Sequence, residues 1–260
     1  MTESAFNDLW DAAAKGTIED VRYFVENGAD VNAEYDGGEI PLHLAAWLNP
    51  RVEVLEYLIS QGADINAKDP NGAMLLHFAV CNSNIEVLKY LASLGAGIHV
   101  TYSEGKTPLH SAACHSSDVE VFKYLVSLGA DVNAKDDHDG TPLHDAAWAN
   151  PHVEVLEYLV SQGADINAKS VWGTTALHSA AANNPCVKTL KYLVSQGADI
   201  HAKAYKGMTP LHFAAEWSFN VKVMRYLISQ GADVNAKDDE GKTPLDRANT
   251  KKKRAIMGVE

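Results

Sequence analysis

The chain has 260 residues, of which 46% are hydrophobic and 22% are charged, and this composition indicates a folded protein rather than a disordered one. Its 22 basic and 34 acidic residues give a net charge of −12. That charge argues against nucleic acid or an anionic membrane as the partner, because both require a basic surface on the protein. It leaves a basic partner open.

Three cysteines without a Cys-x-x-Cys pair argue against a disulfide framework and favour a reducing compartment, so we expect a cytoplasmic protein. We expect no secretory leader, because residues 1–10 lack a basic segment followed by an apolar run. We also expect no transmembrane segment, because the apolar runs are too short to cross a bilayer. Delivery as a secreted effector and entry into the nucleus both stay open.

The first predicted element is a pair of helices over residues 5–35 that forms an N-terminal cap. Trp10 stands at the position where later copies of the same pattern carry a histidine. The segment is rich in charged residues. A terminal unit needs this polarity, because one of its faces meets water instead of another unit.

Six internal copies of one unit follow over residues 38–237. Two landmarks recur together at steps of 33 or 34 residues, a glycine that closes each copy and a histidine in its first half. The glycines are Gly28, which closes the cap, and Gly62, Gly95, Gly129, Gly163, Gly197 and Gly231, and the histidines are His43, His77, His110, His144, His178 and His212. This shared period predicts one supersecondary unit repeated along a solenoid, in which each unit contacts its neighbours.

Each internal unit has the pattern of two short helices. Thr107 and Pro108 suit the start of the first helix, since threonine caps free N–H groups and proline fits the first helical position. Gly129 suits the end of the second helix, because glycine adopts the left-handed conformation without a steric cost. Three units carry Asn-Pro between the helices, at residues 49–50, 150–151 and 184–185, and we expect that asparagine to cap the second helix.

Two units depart from this pattern. In the third, residues 73–76 replace the Gly-Thr-Pro-Leu start, and residues 95–100 lose the usual Asp, Asn and Lys. We therefore expect fewer turn and cap hydrogen bonds there. The last unit, 238–260, is predicted to be a truncated C-terminal cap whose basic run, 251–254, lies on a solvated helix. That run also matches a nuclear-import signal.

The Thr-Pro-Leu-His start at residues 107–110, 141–144 and 209–212, together with the Gly-Ala-Asp-Val-Asn-Ala-Lys segment at 129–135, resembles the ankyrin repeat. The resemblance covers about residues 5–257. It implies an all-α ankyrin-repeat solenoid of stacked helix pairs with short β-hairpin fingers, forming a single domain over residues 1–260. It also implies that the repeated histidine hydrogen-bonds between neighbouring repeats, and that a partner protein binds a concave face of fingers and first helices.

The sequence shows no catalytic or metal constellation, so we predict neither enzymatic activity nor a cofactor. Neighbouring histidines of the repeated column would lie about 10 Å apart, too far to share one zinc ion. Cys81, Cys114 and His115 lack a fourth zinc ligand, and we interpret the cysteines as thiols on a binding surface. The finger carboxylates lie in solvated turns without an apolar pocket to raise a pKa. No phosphate-binding loop or Gly-x-Ser-x-Gly motif is present.

The candidate partner-binding residues lie near the ends of first helices and at finger tips, where the repeats differ from one another. Aromatic residues and methionine are enriched at binding hot spots. The candidates are Trp47, Trp148, Trp172, Trp217, Tyr35, Tyr102, Tyr205, Met74, Met208, Cys81, Cys114 and His115. We therefore predict a monomeric scaffold that recognises an unidentified protein partner and binds neither nucleic acid nor a membrane.

Two other functions stay open. Asn133 follows Asp131-Val132 and has Leu125 eight residues before it, a setting that an asparaginyl hydroxylase can modify in the resembling family. A designed or consensus-like scaffold without a natural partner would also repeat itself closely, and residues 41–68 and 142–169 differ at four of 28 positions. Recent duplication explains that similarity equally well, and the irregular third unit argues against design.

Overall fold

The computed structural model describes residues 5–184 and 186–256. The chain divides into two compact units, Met1–Ala130 and Asp131–Glu260. The first unit contains α1 Leu9–Lys15, α2 Ile18–Glu26, α3 Pro41–Leu48, α4 Val52–Ser60, α5 Leu75–Ala79, α6 Ile85–Ser93, α7 Pro108–His115 and α8 Val119–Ser127. The second contains α9 Pro142–Ala149, α10 Val153–Ser161, α11 Ala176–Asn183, α12 Val187–Ser195, α13 Pro210–Glu216, α14 Val221–Ser229, α15 Pro244–Arg247 and α16 Lys251–Ile256. Short 3₁₀ turns lie at Ser103–Gly105 and Tyr205–Gly207.

Within each unit, helices pack in two layers that follow chain order. In the first unit α1, α3, α5 and α7 pack side by side, and α2, α4, α6 and α8 form the second layer. The core lies between the layers, where leucines such as Leu42, Leu55 and Leu58 are fully buried. The buried Ala45 and Ala46 of α3 are small enough for the first helices to approach closely. The second unit repeats this arrangement, with first helices α9, α11, α13 and α15.

The helices start and end at the predicted residues, although the Thr141 hydroxyl lies 2.9 Å from His144 Nδ1 instead of capping a free backbone N–H. Thr141 is the N-cap of α9 and Pro142 is its first residue. Gly163 follows α10 with φ of 91°, in the left-handed region where a side chain would be strained. The other helix-closing glycines of the repeat have φ values close to this one.

In several repeats the repeated histidine ties the first helix to the following finger. His144 Nδ1 accepts a hydrogen bond from the backbone N–H of Thr141 at 3.2 Å, and its Nε2 lies 2.9 Å from the carbonyl oxygen of Thr174. His178 makes the equivalent bond to Met208 O at 3.2 Å. Because Nδ1 accepts, Nε2 carries the proton and donates it to the carbonyl. The local bond between neighbouring repeats that the resemblance implied is present.

In the residues that the structure describes, the fingers form tight turns without a strand, and an isolated antiparallel bridge joins Tyr102 and Lys106. The finger at residues 136–140 is closed by bonds from Asp136 N to Gly140 O and from Asp139 N to Asp136 O. Neighbouring fingers are joined by a backbone bond, such as Tyr205 N to Trp172 O at 2.6 Å. The β-hairpins that the resemblance implied are therefore not shown in the described residues.

The asparagine between the two helices does not cap the second helix, and that prediction is wrong. Asn49 follows the end of α3, whereas α4 starts at Val52. The buried Asn49 amide instead donates to the carbonyl oxygens of Ala13 and Gly16 in the preceding helix pair, at 2.9 and 3.0 Å. It therefore satisfies the free carbonyls at the end of the previous first helix. Asn184 makes the same kind of bonds, and Pro185 after it lies outside the described residues.

The third repeat has the deficits expected from its sequence. Helix α5 spans five residues, and the buried Nε2 of His77 has no hydrogen-bond partner among the described residues. The turn bond that Ala67 N makes to Asp64 O in the preceding finger has no counterpart between Val100 and Gly97. Fewer hydrogen bonds therefore stabilise residues 95–100 than stabilise the corresponding segments of the repeats before and after them.

The C-terminal cap is less solvated than expected. Lys253 of α16 is buried, and its Nζ donates to the carbonyl oxygen of Ala215 and to Asn249 Oδ1, both at 2.8 Å. The prediction that the whole basic run lies in solvent is therefore wrong for Lys253, although Lys251, Lys252 and Arg254 are exposed. Lys253 contacts the end of α13, so it helps to close the last full repeat.

Candidate functional site

Four of the five tryptophans present large exposed surfaces, between 44% and 50% of each side chain. In the first unit, Trp47 lies near the C-terminal end of α3, and its ring centroid lies 6.5 Å from that of Phe78 on α5. Burying only one side of a large ring leaves the other free for a partner.

The second unit carries Trp148, Trp172 and Trp217. Trp148 lies near the end of α9, and Trp217 directly follows α13 and packs edge-on against Phe213 at 4.7 Å. Trp172 belongs to a finger and lies 4.6 Å from the His138 ring. These contacts orient two of the three exposed rings before any partner arrives.

The three finger tyrosines differ in exposure. Tyr35 and Tyr205 are exposed, and Lys206 Nζ lies 5.6 Å from the Tyr205 ring centroid. Tyr102 instead folds back onto His77, with ring centroids 4.6 Å apart, and is half-buried. Only two of the three predicted tyrosines are therefore exposed to solvent.

The expectation that Met208 faces solvent is wrong, because this residue is 3% exposed and contributes its carbonyl oxygen to the His178 bond. The residue is in a finger, but the turn directs its side chain into the core instead of toward solvent. Met74 is half-buried at the start of α5. A sequence that places both residues in fingers cannot say which way each side chain turns.

Cys81 and Cys114 are half-buried, and His115 is exposed. Burial raises the pKa of the Cys81 thiol to about 11, so it is protonated at neutral pH and is a weak nucleophile. No group of three or more potential metal ligands occurs in the described part of the chain. The arrangement thus resembles a contact surface more than a reactive centre.

A cavity of about 370 Å³ opens in the first unit, and we call it the Asp69 pocket. Its lining includes Trp47, Phe78, Tyr102, Cys81 and the Asp69 carboxylate. It lies beside the shortened helix α5, where the third repeat departs from the others. The lining residues Trp47, Tyr102, Cys81 and His115 were predicted from the sequence as partner-binding residues, whereas Asp69 and Phe78 were not.

Phe219 was also missed, although 99% of its side chain is exposed. It lies between α13 and α14, where the corresponding residues of other repeats are proline or serine, as at Pro50, Ser83, Ser117 and Pro151. Phenylalanine at a position that is proline or serine in other repeats was the sequence feature that could have identified Phe219.

Asn133, the candidate for hydroxylation, is half-buried and tied to the next repeat. Its Nδ2 donates to Gly163 O at 2.9 Å, and its Oδ1 accepts from Asp165 N at 2.8 Å. Modification would require a change at a side chain already engaged on both polar atoms. The intact mass of protein from its native source tests this alternative directly, because hydroxylation adds one oxygen atom.

Comparison with known proteins agrees with this geometry. The chain matches family models described as ankyrin repeats (3 copies), over residues 76–170, 143–238 and 177–256, and ankyrin repeats (many copies), over residues 24–79. The chain therefore belongs to the ankyrin repeat proteins, with the all-α stacked-repeat fold of that family. Ankyrin repeats are general protein–protein interaction modules and typically carry no enzymatic activity.

Among solved structures, the chain is similar to the crystal structure of the human ASB11 ankyrin repeat domain. The two are 29% identical with a TM-score of 0.72, over 84% of this chain and 96% of that one. A search of curated proteins gives no match. In the described ranges, none of the helices has both the length and the apolar character needed to cross a membrane.

Proposed function

We propose that this chain is a non-enzymatic scaffold that binds a protein partner through the exposed face of its first helices and fingers. The observation that carries the proposal is the placement of four tryptophans, each close to half-exposed, near the ends of first helices or on a finger. A monomeric soluble protein has no folding reason to expose several large aromatic rings, whereas interfaces are enriched in them.

The compartment, the oligomeric state and the absence of a cofactor, nucleic acid or membrane partner belong to the same proposal. The protein acts in the cytoplasm as a monomer, needs no cofactor, and contacts neither nucleic acid nor a membrane. Its net charge of −12 supports a partner segment of opposite charge. The protonated thiol of Cys81 supports a contact role rather than a catalytic one.

Truncation of Trp148 tests the proposal. A partner captured by the intact chain and then purified should bind Trp148→Ala about thirtyfold more weakly, the loss typical of a central tryptophan at an interface. The substitution also has a folding cost of about 1–2 kcal/mol, because roughly half of the ring surface is already buried. Calorimetric titration below the melting temperature of both proteins separates the two effects.

Leu128→Ala is the matched control. Leu128 is also apolar and exposed, but it caps the end of a second helix rather than a first helix. Its truncation should leave the affinity unchanged. If Leu128→Ala weakened binding as much as Trp148→Ala did, or if Trp148→Ala bound normally, the recognition face would have been assigned to the wrong helices.

A further inference from the structure

The negative charge of this protein is concentrated in one half of the chain. Residues 1–130 contain 18 acidic and 7 basic residues, for a net charge of −11, whereas residues 131–260 contain 16 and 15, for a net charge of −1. The division falls at the boundary between the two compact units. A basic partner segment is therefore attracted chiefly to the first unit, which contains the Asp69 pocket.

Asp69 is a buried carboxylate whose Oδ2 can accept further hydrogen bonds. Its side chain is 9% exposed, and its Oδ1 accepts hydrogen bonds from the backbone N–H groups of Asn71 and Ala73 at 2.9 and 2.7 Å. Its Oδ2 has one long contact, 3.5 Å to Asn71 Nδ2. No lysine or arginine lines the pocket, and Asp69 forms no ion pair within the residues that the structure describes.

The imidazole beside this carboxylate does not supply the missing positive charge. Burial lowers the pKa of His77 to about 4, so its ring is neutral near pH 7. A buried carboxylate without a counter-charge is costly, and the cost is reduced when a cation binds. The pocket therefore favours a positively charged ligand group beside the Asp69 carboxylate.

The last repeat shows how the same finger position is satisfied elsewhere in this chain. Asp238 and Asp69 each lie five residues before the N-cap residue of the next first helix, Thr243 and Met74. Asp238 is also buried, and its Oδ1 accepts two backbone N–H bonds in the same way, at residues 240 and 242. Its Oδ2, however, binds the guanidinium of Arg247, with Nε at 2.8 Å and Nη2 also donating.

Phe78 stands in the third repeat where Arg247 stands in the last one, since each follows the third residue of its helix. Arg247 also contacts Glu216, while the matching contact in the third repeat is between Phe78 and Trp47. Where the last repeat has an internal ion pair, the third repeat has aromatic walls, a cavity and a carboxylate without an ion pair among the described residues.

We propose that the Asp69 pocket binds an arginine side chain of a basic partner segment, whose guanidinium occupies at Asp69 Oδ2 the place that Arg247 occupies at Asp238. The inference rests on the proposed function as a protein-binding scaffold and names the chemistry of one partner residue. Arginine fits better than lysine, because its planar guanidinium pairs with a carboxylate through two N–H groups and stacks on aromatic rings such as Trp47 and Tyr102.

A pair of small probes tests this proposal on the full chain. N-acetylarginine amide should shift the Trp47 indole resonance in an NMR titration, with a dissociation constant on the order of millimolar for so small a ligand. N-acetylcitrulline amide has nearly the same shape without the charge, and it should bind about tenfold more weakly or not at all. Equal binding of the two probes by the unaltered protein would overturn the proposal without any mutation.

Asp69→Asn is the matching substitution, because the amide oxygen keeps the Oδ1 turn bonds while the charge is removed. It should weaken the arginine probe about tenfold. Asp136→Asn is the control, since Asp136 occupies the same finger position and makes the same two turn bonds, but does not line the Asp69 pocket. Undiminished binding to Asp69→Asn, or an equal loss in Asp136→Asn, would contradict the assignment.

The two proposals fail separately. If a captured partner is lost in Trp148→Ala but binds Asp69→Asn normally, the scaffold function stands and the arginine assignment is wrong. If the arginine probe binds at Asp69 and no partner depends on Trp148, the pocket chemistry stands and the proposed recognition face is wrong.

Discussion

Individual polar side chains carry much of the connection between neighbouring repeats. The amide of Asn133 uses both of its polar atoms, donating to Gly163 O and accepting from Asp165 N of the next repeat. Asn167 repeats the pair of bonds at Gly197 and Asp199. One residue type at one repeat position thus joins adjacent loops whose backbone groups would otherwise depend on water.

Replacement of Asn133 tests this role. Asn133→Ala should lower the free energy of unfolding by about 1 kcal/mol, the net value of a typical intramolecular hydrogen bond. Urea denaturation measures the change.

Asn235→Ala is the control for that experiment. Asn235 has the same finger position, but the truncated last repeat offers its side chain no partner among the described residues, and only its backbone N–H is bonded, to Asp233 Oδ1. The control should change stability by a few tenths of a kcal/mol at most. Similar losses in both variants would mean that the repeat-to-repeat bonds of Asn133 contribute little.

At the scale of the elements, the repeats share one architecture but differ in how many hydrogen bonds stabilise it. The third repeat has a five-residue first helix, and among the described residues its His77 Nε2 has no partner and its finger lacks the usual turn bond. Solenoid repeats interact with their neighbours alone, so a weak repeat can open without the rest of the molecule unfolding.

Hydrogen exchange should therefore be fast in the third finger. The backbone amides of residues 95–104 should exchange at least about tenfold faster than those of residues 197–206, the matching segment three repeats later. The comparison segment keeps its turn bond, from Ala202 N to Asp199 O. Equal protection of the two segments would show that the missing bonds are compensated by packing.

At the scale of the whole molecule, the buried histidines make stability depend on pH. Burial lowers the pKa of His43, His144 and His212, and it lowers the pKa of His77 and His178 to about 4. The unfolded chain, with histidine pKa values near 6.5, binds more protons than the folded chain between pH 4 and 6.5. Stability contributed by these neutral rings is thus complete above pH 6.5 and declines as the pH falls toward 4.

The free energy of unfolding should fall between pH 7.5 and pH 5.5, by about 1.3 kcal/mol for His178 alone. Urea titrations at the two pH values measure this change above the range in which most carboxylates titrate. In His178→Gln the unfolding free energy should be lower at both pH values, but its pH dependence should be smaller by about that amount. The same pH dependence in both proteins would contradict a neutral buried His178.

The period of glycines and histidines determined the fold from the sequence alone. Each glycine marks a left-handed helix end and each histidine a capped helix start, so both follow from local chemistry that neighbouring residues reveal. The exposure of Trp47, Trp148, Trp172 and Trp217 also followed from repeat position. The missing hydrogen bonds of the third repeat could also be predicted from the sequence, because the loss of Asp and Asn residues removes specific hydrogen bonds.

Only the tertiary structure decided where individual side chains turn and what the same residue does in another repeat. Met208 and Lys253 are buried, and Asn49 reaches back to the preceding helix pair, because packing and long-range carbonyl groups outweigh local preference. Asp69 and Asp238 look alike in sequence. Their difference depends on whether a guanidinium lies within reach of Oδ2, and only the tertiary structure shows that the fourth residue of the next helix, an arginine beside Asp238 and a phenylalanine beside Asp69, decides this.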